Sequence, residues 1–183
     1  MRIAGKLTVV SALVLAVGGC GGAGATSPPD SEESTRGAPV ATVSSTGGIA
    51  CGQEFRAPGG GELTMVAKFP ASVAAAAGVV TGTVEVTGRR AVRGVVSPRA
   101  QAFLVRDGRV VSTPMAQDLS GVRWDLAAGG VERLPADAVL VSCEPGGGPL
   151  PAGRYELWAR LVLTPDDGPG VTSVGGPWPL EIT

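Results

Sequence analysis

Apolar and polar side chains alternate along much of residues 49–183, and this pattern restricts the fold more than any other feature of the sequence. Because successive side chains of a strand point to opposite faces, a period of two indicates strands with one buried face. Residues 62–69 and 80–87 show the pattern most clearly, whereas only residues 72–77 indicate a helical turn. The sequence therefore predicts an all-β domain, folded as a sandwich or a barrel.

A tight hairpin is predicted around Asp107-Gly108. Residues 102–106 and 109–112 flank this pair, and a type I′ turn favours Asp-Gly because both central residues need a positive φ. Further strands are predicted near residues 91–96, 138–143, 155–163 and 178–182.

The first twenty residues predict export and lipid attachment. Arg2 and Lys6 precede an apolar run over residues 7–17, which is shorter than the roughly 20 residues that a membrane-spanning helix needs. Residues 17–20 (Val-Gly-Gly-Cys) then resemble the lipobox of bacterial lipoproteins. That resemblance implies cleavage before Cys20, acylation of its thiol and attachment to the extracytoplasmic face of the cell membrane, because several acyl chains give stable anchoring.

The composition divides the chain into three parts. Residues 1–19 are predicted to be a lipoprotein signal peptide, residues 20–48 a lipidated flexible linker and residues 49–183 one domain. The linker is rich in Ser, Thr, Gly and Pro, and a random coil of this length has a root-mean-square reach of about 30 Å. The alternative for the linker is a docking peptide for a partner. The domain is long enough to bury a core of its own.

The three cysteines suit an oxidising compartment. With Cys20 assigned to the lipid, Cys51 and Cys143 are predicted to form a disulfide. This disulfide would close a long loop, and the chain-entropy model assigns about 4–5 kcal/mol of stabilisation to such a bond. The alternative is a redox-active pair, which usually has a Cys-x-x-Cys spacing that this chain lacks.

Residues 150–155 (Leu-Pro-Ala-Gly-Arg-Tyr) resemble the Gly-x-Tyr corner that opens a late strand in immunoglobulin-like sandwiches. The resemblance implies an all-β, immunoglobulin-like antiparallel β-sandwich of about seven strands. It also implies a structural role for Tyr155, whose hydroxyl would bond to the backbone of the preceding loop. Leu157 stands where the immunoglobulin cysteine would follow, so the disulfide is not the antibody-type one. The same segment is similar to the closing strands of BsuPI-type proteinase inhibitors.

Composition excludes several kinds of chemistry. The chain has no His, which excludes Ser-His-Asp and Cys-His catalysis and zinc sites that use histidine. After residues 1–19 the chain has 13 basic and 16 acidic residues, a balance that does not suit nucleic-acid binding. Asp166-Asp167-Gly168 fits a turn better than a calcium site. We therefore predict no catalytic residue, cofactor or metal.

Trp158 belongs to the candidate interaction surface. If Leu157 and its alternate neighbours face the core, Trp158 lies on the opposite face together with Arg160. A partly exposed tryptophan beside an arginine is typical of a binding surface. The alternative is that a loop or the closing segment 175–179 covers Trp158, with Arg160 stacked on it. Trp158, Arg160 and Trp178 are thus the candidate surface residues.

These features favour a non-enzymatic, lipid-anchored envelope protein whose domain is a binding or structural module for an exported protein or a cell-wall component. One alternative is an inhibitor of exported proteinases, which needs a long exposed loop such as residues 115–134 or 146–151. Another is a solute receptor or a carboxylate-based hydrolase, which needs a concave pocket with convergent polar groups. The sequence does not identify the ligand.

Overall fold

Ten strands and one turn of 3-10 helix form the part of the chain that the structure describes. The computed structural model describes residues 49–58, 61–117 and 120–183. The strands are β1 (Leu63–Lys68), β2 (Ser72–Val73), β3 (Val79–Gly88), β4 (Val92–Val96), β5 (Ala100–Arg106), β6 (Arg109–Ser112), β7 (Val122–Leu126), β8 (Val131–Val139), β9 (Gly153–Pro165) and β10 (Val171–Ile182). The 3-10 turn covers Ala75–Ala77, inside the segment predicted to be helical.

Hydrogen bonds join these strands into one curled sheet. One half of the sheet has the order β1-β3-β8, and the other has the order β6-β5-β9-β10-β2. The predicted all-β, sandwich-like fold is therefore confirmed, with ten strands instead of about seven, and the sheet is mixed instead of antiparallel because β2–β10 and β5–β8 are parallel pairings.

Side chains from both halves of the sheet form the main core. Val84 and Val86 of β3 are fully buried, and they belong to the same apolar cluster as Leu157 and Leu161 of β9. Full burial of one such side chain contributes about 1.5–3 kcal/mol. The period of two along β3 and β9 therefore follows directly from the packing of one sheet half on the other.

The corner before β9 has the bonds expected of a tyrosine corner. The Tyr155 hydroxyl donates a hydrogen bond to the carbonyl oxygen of Pro151 at 2.6 Å. Arg106 donates from Nη1 to the same hydroxyl at 3.1 Å, and its guanidinium carbon lies 5.2 Å from the centre of the Tyr155 ring. Tyr155 thus has the structural role that the sequence predicts, and it fixes the point at which β9 begins.

The β5–β6 hairpin turns at the predicted pair. Asp107 has φ of 51° and Gly108 has φ of 74°, so both central residues lie in the left-handed region that a type I′ turn needs. The turn therefore sets which residues of β5 and β6 face each other.

Three strand predictions need correction. Residues 115–134 are not one long exposed loop, because they contain β7 and the beginning of β8. The strand predicted at 138–143 is β8, which ends at Val139 and begins well before the predicted start. The last strand is longer than predicted, because β10 pairs with β9 along most of its length.

The disulfide between Cys51 and Cys143 is confirmed. The predicted signal peptide, Cys20 and the linker lie outside the described residues, so their assignments stay predictions. Within the described ranges there is no helix with the length and apolar character needed to cross a bilayer.

Replacing Tyr155 with Phe tests the corner. The ring stays in the core while the hydroxyl bonds to Pro151 and Arg106 are lost, so we expect a loss of about 1–2 kcal/mol in the free energy of unfolding. Urea unfolding followed by circular dichroism measures the change. Thr81→Val on the exposed side of β3 is the matched control and should change stability far less. Equal midpoints for Tyr155→Phe and the unchanged protein would contradict a structural role for the hydroxyl.

Candidate functional site

Residues 49–58, here called the strap, run beside β6 and over the outer face of the sheet. The N–H of Gly52 donates to the carbonyl of Val110 at 2.8 Å, and the N–H of Phe55 donates to that of Gly108 at 2.8 Å. The disulfide adds a covalent link, because Cys51 of the strap joins Cys143 after β8. Backbone bonds and one crosslink therefore hold the strap against β6.

The strap covers a second apolar cluster, separate from the main core. Its fully or nearly buried members are Phe103, Val105, Val110 and Trp158, all on the outer face of β5, β6 and β9. The Phe55 ring meets Phe103 edge-on with centroids 5.1 Å apart, and it meets Trp158 with centroids 4.8 Å apart. Edge contacts of this kind add to the gain from burial. The middle of β9 is thus buried on both faces.

Trp158 is buried, which corrects the expectation of a partly exposed tryptophan. Only 7% of it is accessible, and its indole Nε1 donates to Glu156 Oε2 at 3.1 Å. The alternative, that other segments cover it, agrees with the structure. Gly176 of the closing segment lies against the ring, since a Cβ there would be 2.7 Å from Trp158 Cε3. The larger cover is Phe55 of the strap, which the sequence analysis did not identify.

Trp178 does not share a surface with the other two candidates. Its cross-strand neighbour is Leu157, whose side chain faces the main core, and Trp178 packs half-buried against that core. Trp158 and Arg160 face the other way. The expected grouping of Trp158, Arg160 and Trp178 is therefore wrong, because the register of β10 places Trp178 on the inner face.

Arg160 is the candidate that reaches an open part of the surface. It lies on the outer face of β9 between Gln101 of β5 and Val174 of β10. Its Nε donates to Gln101 Oε1 at 2.7 Å, so it is not stacked on Trp158 as the alternative proposed. Arg160 is half-buried, and this burial lowers the pKa of its guanidinium. A lowered pKa means that the charged form loses solvation at this position.

Most other cations of the described residues have a carboxylate partner. Glu85 accepts from Lys68 Nζ at 2.8 Å and from Arg133 Nε at 2.7 Å, and these two bonds lower the pKa of Glu85. Arg93 bonds Asp125 at 2.9 Å, which raises the pKa of Arg93. Further pairs are Arg56–Glu54, Arg90–Glu62, Arg99–Asp137, Arg106–Asp107 and Arg123–Asp166. Within the described ranges, Arg160 forms no ion pair of this kind.

A concave site lies beside Arg160, beyond the area that the strap covers. We call it the outer groove; its volume is about 400 Å³, and its lining includes Ile49, Val95, Gln101, Met115, Gln117 and Val162 together with Arg160. A smaller cavity of about 260 Å³ lies between the strap and β10, and Arg160 and Ile49 line both. Arg160 therefore stands at the boundary between the covered and the open part of the outer face.

The outer groove combines apolar surface with groups that form hydrogen bonds. Val95, Met115 and Val162 are among the most exposed large apolar side chains of the described residues. Gln117 Oε1 is buried there without a hydrogen-bond partner in the described part of the chain. Such a combination is typical of a binding site for a ligand with an apolar part and a few polar contacts. The described ranges hold no group of three or more carboxylate or thiol side chains placed to bind a metal ion.

Comparisons with known proteins do not assign a family. No protein-family model matches the chain. No curated protein matches it either. Among solved structures it is similar to a β-glucosidase from Listeria innocua in complex with glucose, at 13% identity, with a TM-score of 0.36 and coverage of 66% of this chain and 16% of that one. The chain thus spans a small part of that enzyme's length, and a similarity at this level carries no argument about function.

Removing the Phe55 ring tests the cover over Trp158. Because Phe55 is half-buried, we expect Phe55→Ala to lower the free energy of unfolding by about 2 kcal/mol, below the roughly 3–5 kcal/mol of a fully buried ring. In a background with Trp124→Phe and Trp178→Phe, Trp158 emission should shift to longer wavelength and acrylamide should quench it more.

Phe69→Ala is the matched control, because Phe69 packs against the main core and not against the second cluster. This control should lose stability but leave Trp158 emission unchanged. If Phe55→Ala also left the emission unchanged, the strap would not be what shields Trp158 from water.

Proposed function

We propose that this chain is a lipid-anchored, non-enzymatic protein of the bacterial cell envelope, and that its β-sandwich binds an exported protein or a cell-wall component through the outer groove. Two features support the location. Residues 17–20 resemble a lipobox that ends in Cys20, and the remaining cysteines form a disulfide, which suits a compartment outside the cytosol.

The half-buried charge of Arg160 is the observation that carries the binding role. A charge that is partly removed from water is unfavourable unless a counter-charge or several hydrogen bonds compensate for it. Within the described residues Arg160 has one such bond, to Gln101, and the residue lines both cavities.

The two alternatives have less support from the geometry. A proteinase inhibitor needs a long exposed loop, and residues 115–134 instead contain strands. The exposed residues 144–149 remain as a shorter loop, but three of them are glycines without side chains to fill a proteinase pocket. A solute receptor or carboxylate-based hydrolase needs a concave pocket with convergent polar groups, and the outer groove has no carboxylate among its described lining residues.

Replacing Cys20 with Ser tests the anchor. Serine at this position offers no thiol for acylation, so we expect the protein to move from the membrane fraction to the soluble fraction. Mass spectrometry of the amino-terminal peptide should find acyl groups on the unchanged protein alone. The double variant Cys51→Ser/Cys143→Ser is the control and should stay at the membrane. An unmodified Cys20 in the unchanged protein would contradict the proposed anchoring.

Capture from envelope extracts tests the binding site. We expect the unchanged protein to retain a partner that Arg160→Gln loses, since the substitution removes the charge but keeps a long polar side chain. Arg154→Gln is the matched control, because Arg154 lies on the same face of β9 about 20 Å away. Comparison of the retained proteins and glycans by mass spectrometry gives the result. If the unchanged protein, Arg160→Gln and Arg154→Gln all captured the same partner equally, the proposal that the outer groove binds it would be wrong.

A further inference from the structure

We infer that the outer groove binds the end of a peptide chain: the carboxylate of its last residue pairs with Arg160, and an aliphatic side chain of that residue packs in the groove. This inference rests on the proposed binding role of the groove and names the ligand chemistry. Its argument uses three neighbouring features, namely the cation, the apolar wall and a buried acceptor.

The cation favours a carboxylate. A guanidinium presents a planar fork of donors that matches the two oxygens of a carboxylate, and such charge-assisted pairs are stronger than neutral hydrogen bonds. Gln101 holds Nε of Arg160 at 2.7 Å, which orients the side chain and leaves its terminal nitrogens to bind a ligand. Because Arg160 is on the central part of β9, its position is set by a paired strand instead of a loop.

The wall of the groove favours an aliphatic group next to that carboxylate. Val95, Met115 and Val162 expose apolar surface there, and Ile49 closes the side next to the strap. None of the described lining residues is aromatic or acidic. Aromatic rings and carboxylates are the groups that usually stack on and bond to a sugar ring, so the lining fits an aliphatic side chain better than a carbohydrate.

The buried acceptor favours a peptide over a simple fatty acid. Gln117 Oε1 lacks a hydrogen-bond partner among the described residues, and buried polar atoms are normally bonded. Gln117 lines the same groove as Arg160. If the Gln117 side chain rotates toward the groove, a peptide supplies a backbone N–H close to its terminal carboxylate that satisfies this acceptor, whereas a fatty acid has no donor for it.

Isothermal titration calorimetry with the full chain, purified in detergent, tests the inference. The probes are N-acetyl-Ala-Ala-Val with a free carboxylate, the same peptide with a terminal amide, and 3-methylbutanoate. We expect the free peptide to bind at least about tenfold more tightly than the amide, because charge-assisted bonds exceed neutral ones. We expect the same margin over 3-methylbutanoate, because that acid has no N–H for Gln117 Oε1. Equal binding of the acid and the amide, or no binding of the acid, would overturn the inference.

Variants assign the contacts to residues. Arg160→Gln should weaken binding of the free peptide at least about tenfold, Arg160→Lys should weaken it less because the charge remains, and Arg154→Gln should leave it unchanged. Gln117→Leu should weaken the peptide but not 3-methylbutanoate. Circular dichroism and urea midpoints confirm that each variant is folded. Unchanged affinity in Arg160→Gln would overturn the inference.

A further variant changes Asp118, which lies outside the described residues. We expect Asp118→Asn to bind the free peptide as the unchanged protein does. A gain in affinity would show that this carboxylate competes with the peptide for Arg160, and would support the pairing of the peptide carboxylate with Arg160. Loss of peptide binding in a protein that is still anchored and still captures a partner would reject the ligand class alone. Failed anchoring with intact peptide binding would reject the proposed location alone.

Discussion

The contact of Phe55 with Trp158 and Phe103 determines how the outer face of the sandwich can be used. An immunoglobulin-like half-sheet has one face in the core, and its other face normally meets solvent. In this chain large rings occupy that second face, and they are buried by the strap together with Val174 and Gly176 of β10. The groove begins where this cover ends. A different length or path of the strap would therefore move or close the opening beside Arg160.

Arg160 has its position because several fixed elements meet around it. The Tyr155 corner sets where β9 begins, and the paired strands β5 and β10 set which residues flank the guanidinium. A binding group on a strand, with its orientation held by a neighbour such as Gln101, is placed more accurately than one on a loop. Elsewhere in the described residues, most cations are neutralised within the molecule, as Lys68 and Arg133 are by Glu85. Arg89, Arg109 and Arg154 also form no ion pair within the described residues, but they are exposed, whereas Arg160 is half-buried beside the groove.

Local patterns predicted the fold better than they predicted the site. The alternation in β3, the Asp107-Gly108 turn and the Tyr155 corner depend on neighbouring residues, and each agrees with the structure. The beginning of β8 was missed because a proline such as Pro135 argues against a strand. The structure tolerates Pro135 because β5 pairs with β8 only at Ala136 and Asp137, so the rest of β8 is an edge on the side that faces β5.

The cover of Trp158 depends on a contact between residues far apart in sequence. Alternation correctly places Trp158 and Arg160 on the same face. The sequence around these residues does not indicate that Phe55 covers Trp158 and leaves Arg160 open. The groove residues Gln101 and Gln117 were missed for the same reason, because their role comes from the meeting of β5, β9 and the segment after β6. The predicted disulfide was the one signal that pointed to the strap, since it ties residue 51 to the end of β8.

The crosslink also has a mechanical consequence. In a chain anchored through Cys20, as proposed, any tension from the membrane enters the domain at Ile49, just before Cys51. The covalent bond to Cys143 passes that load into the loop after β8. The contacts of Phe55 with Phe103 and Trp158 come after Cys51 in the chain, so the disulfide carries load that would otherwise reach them first.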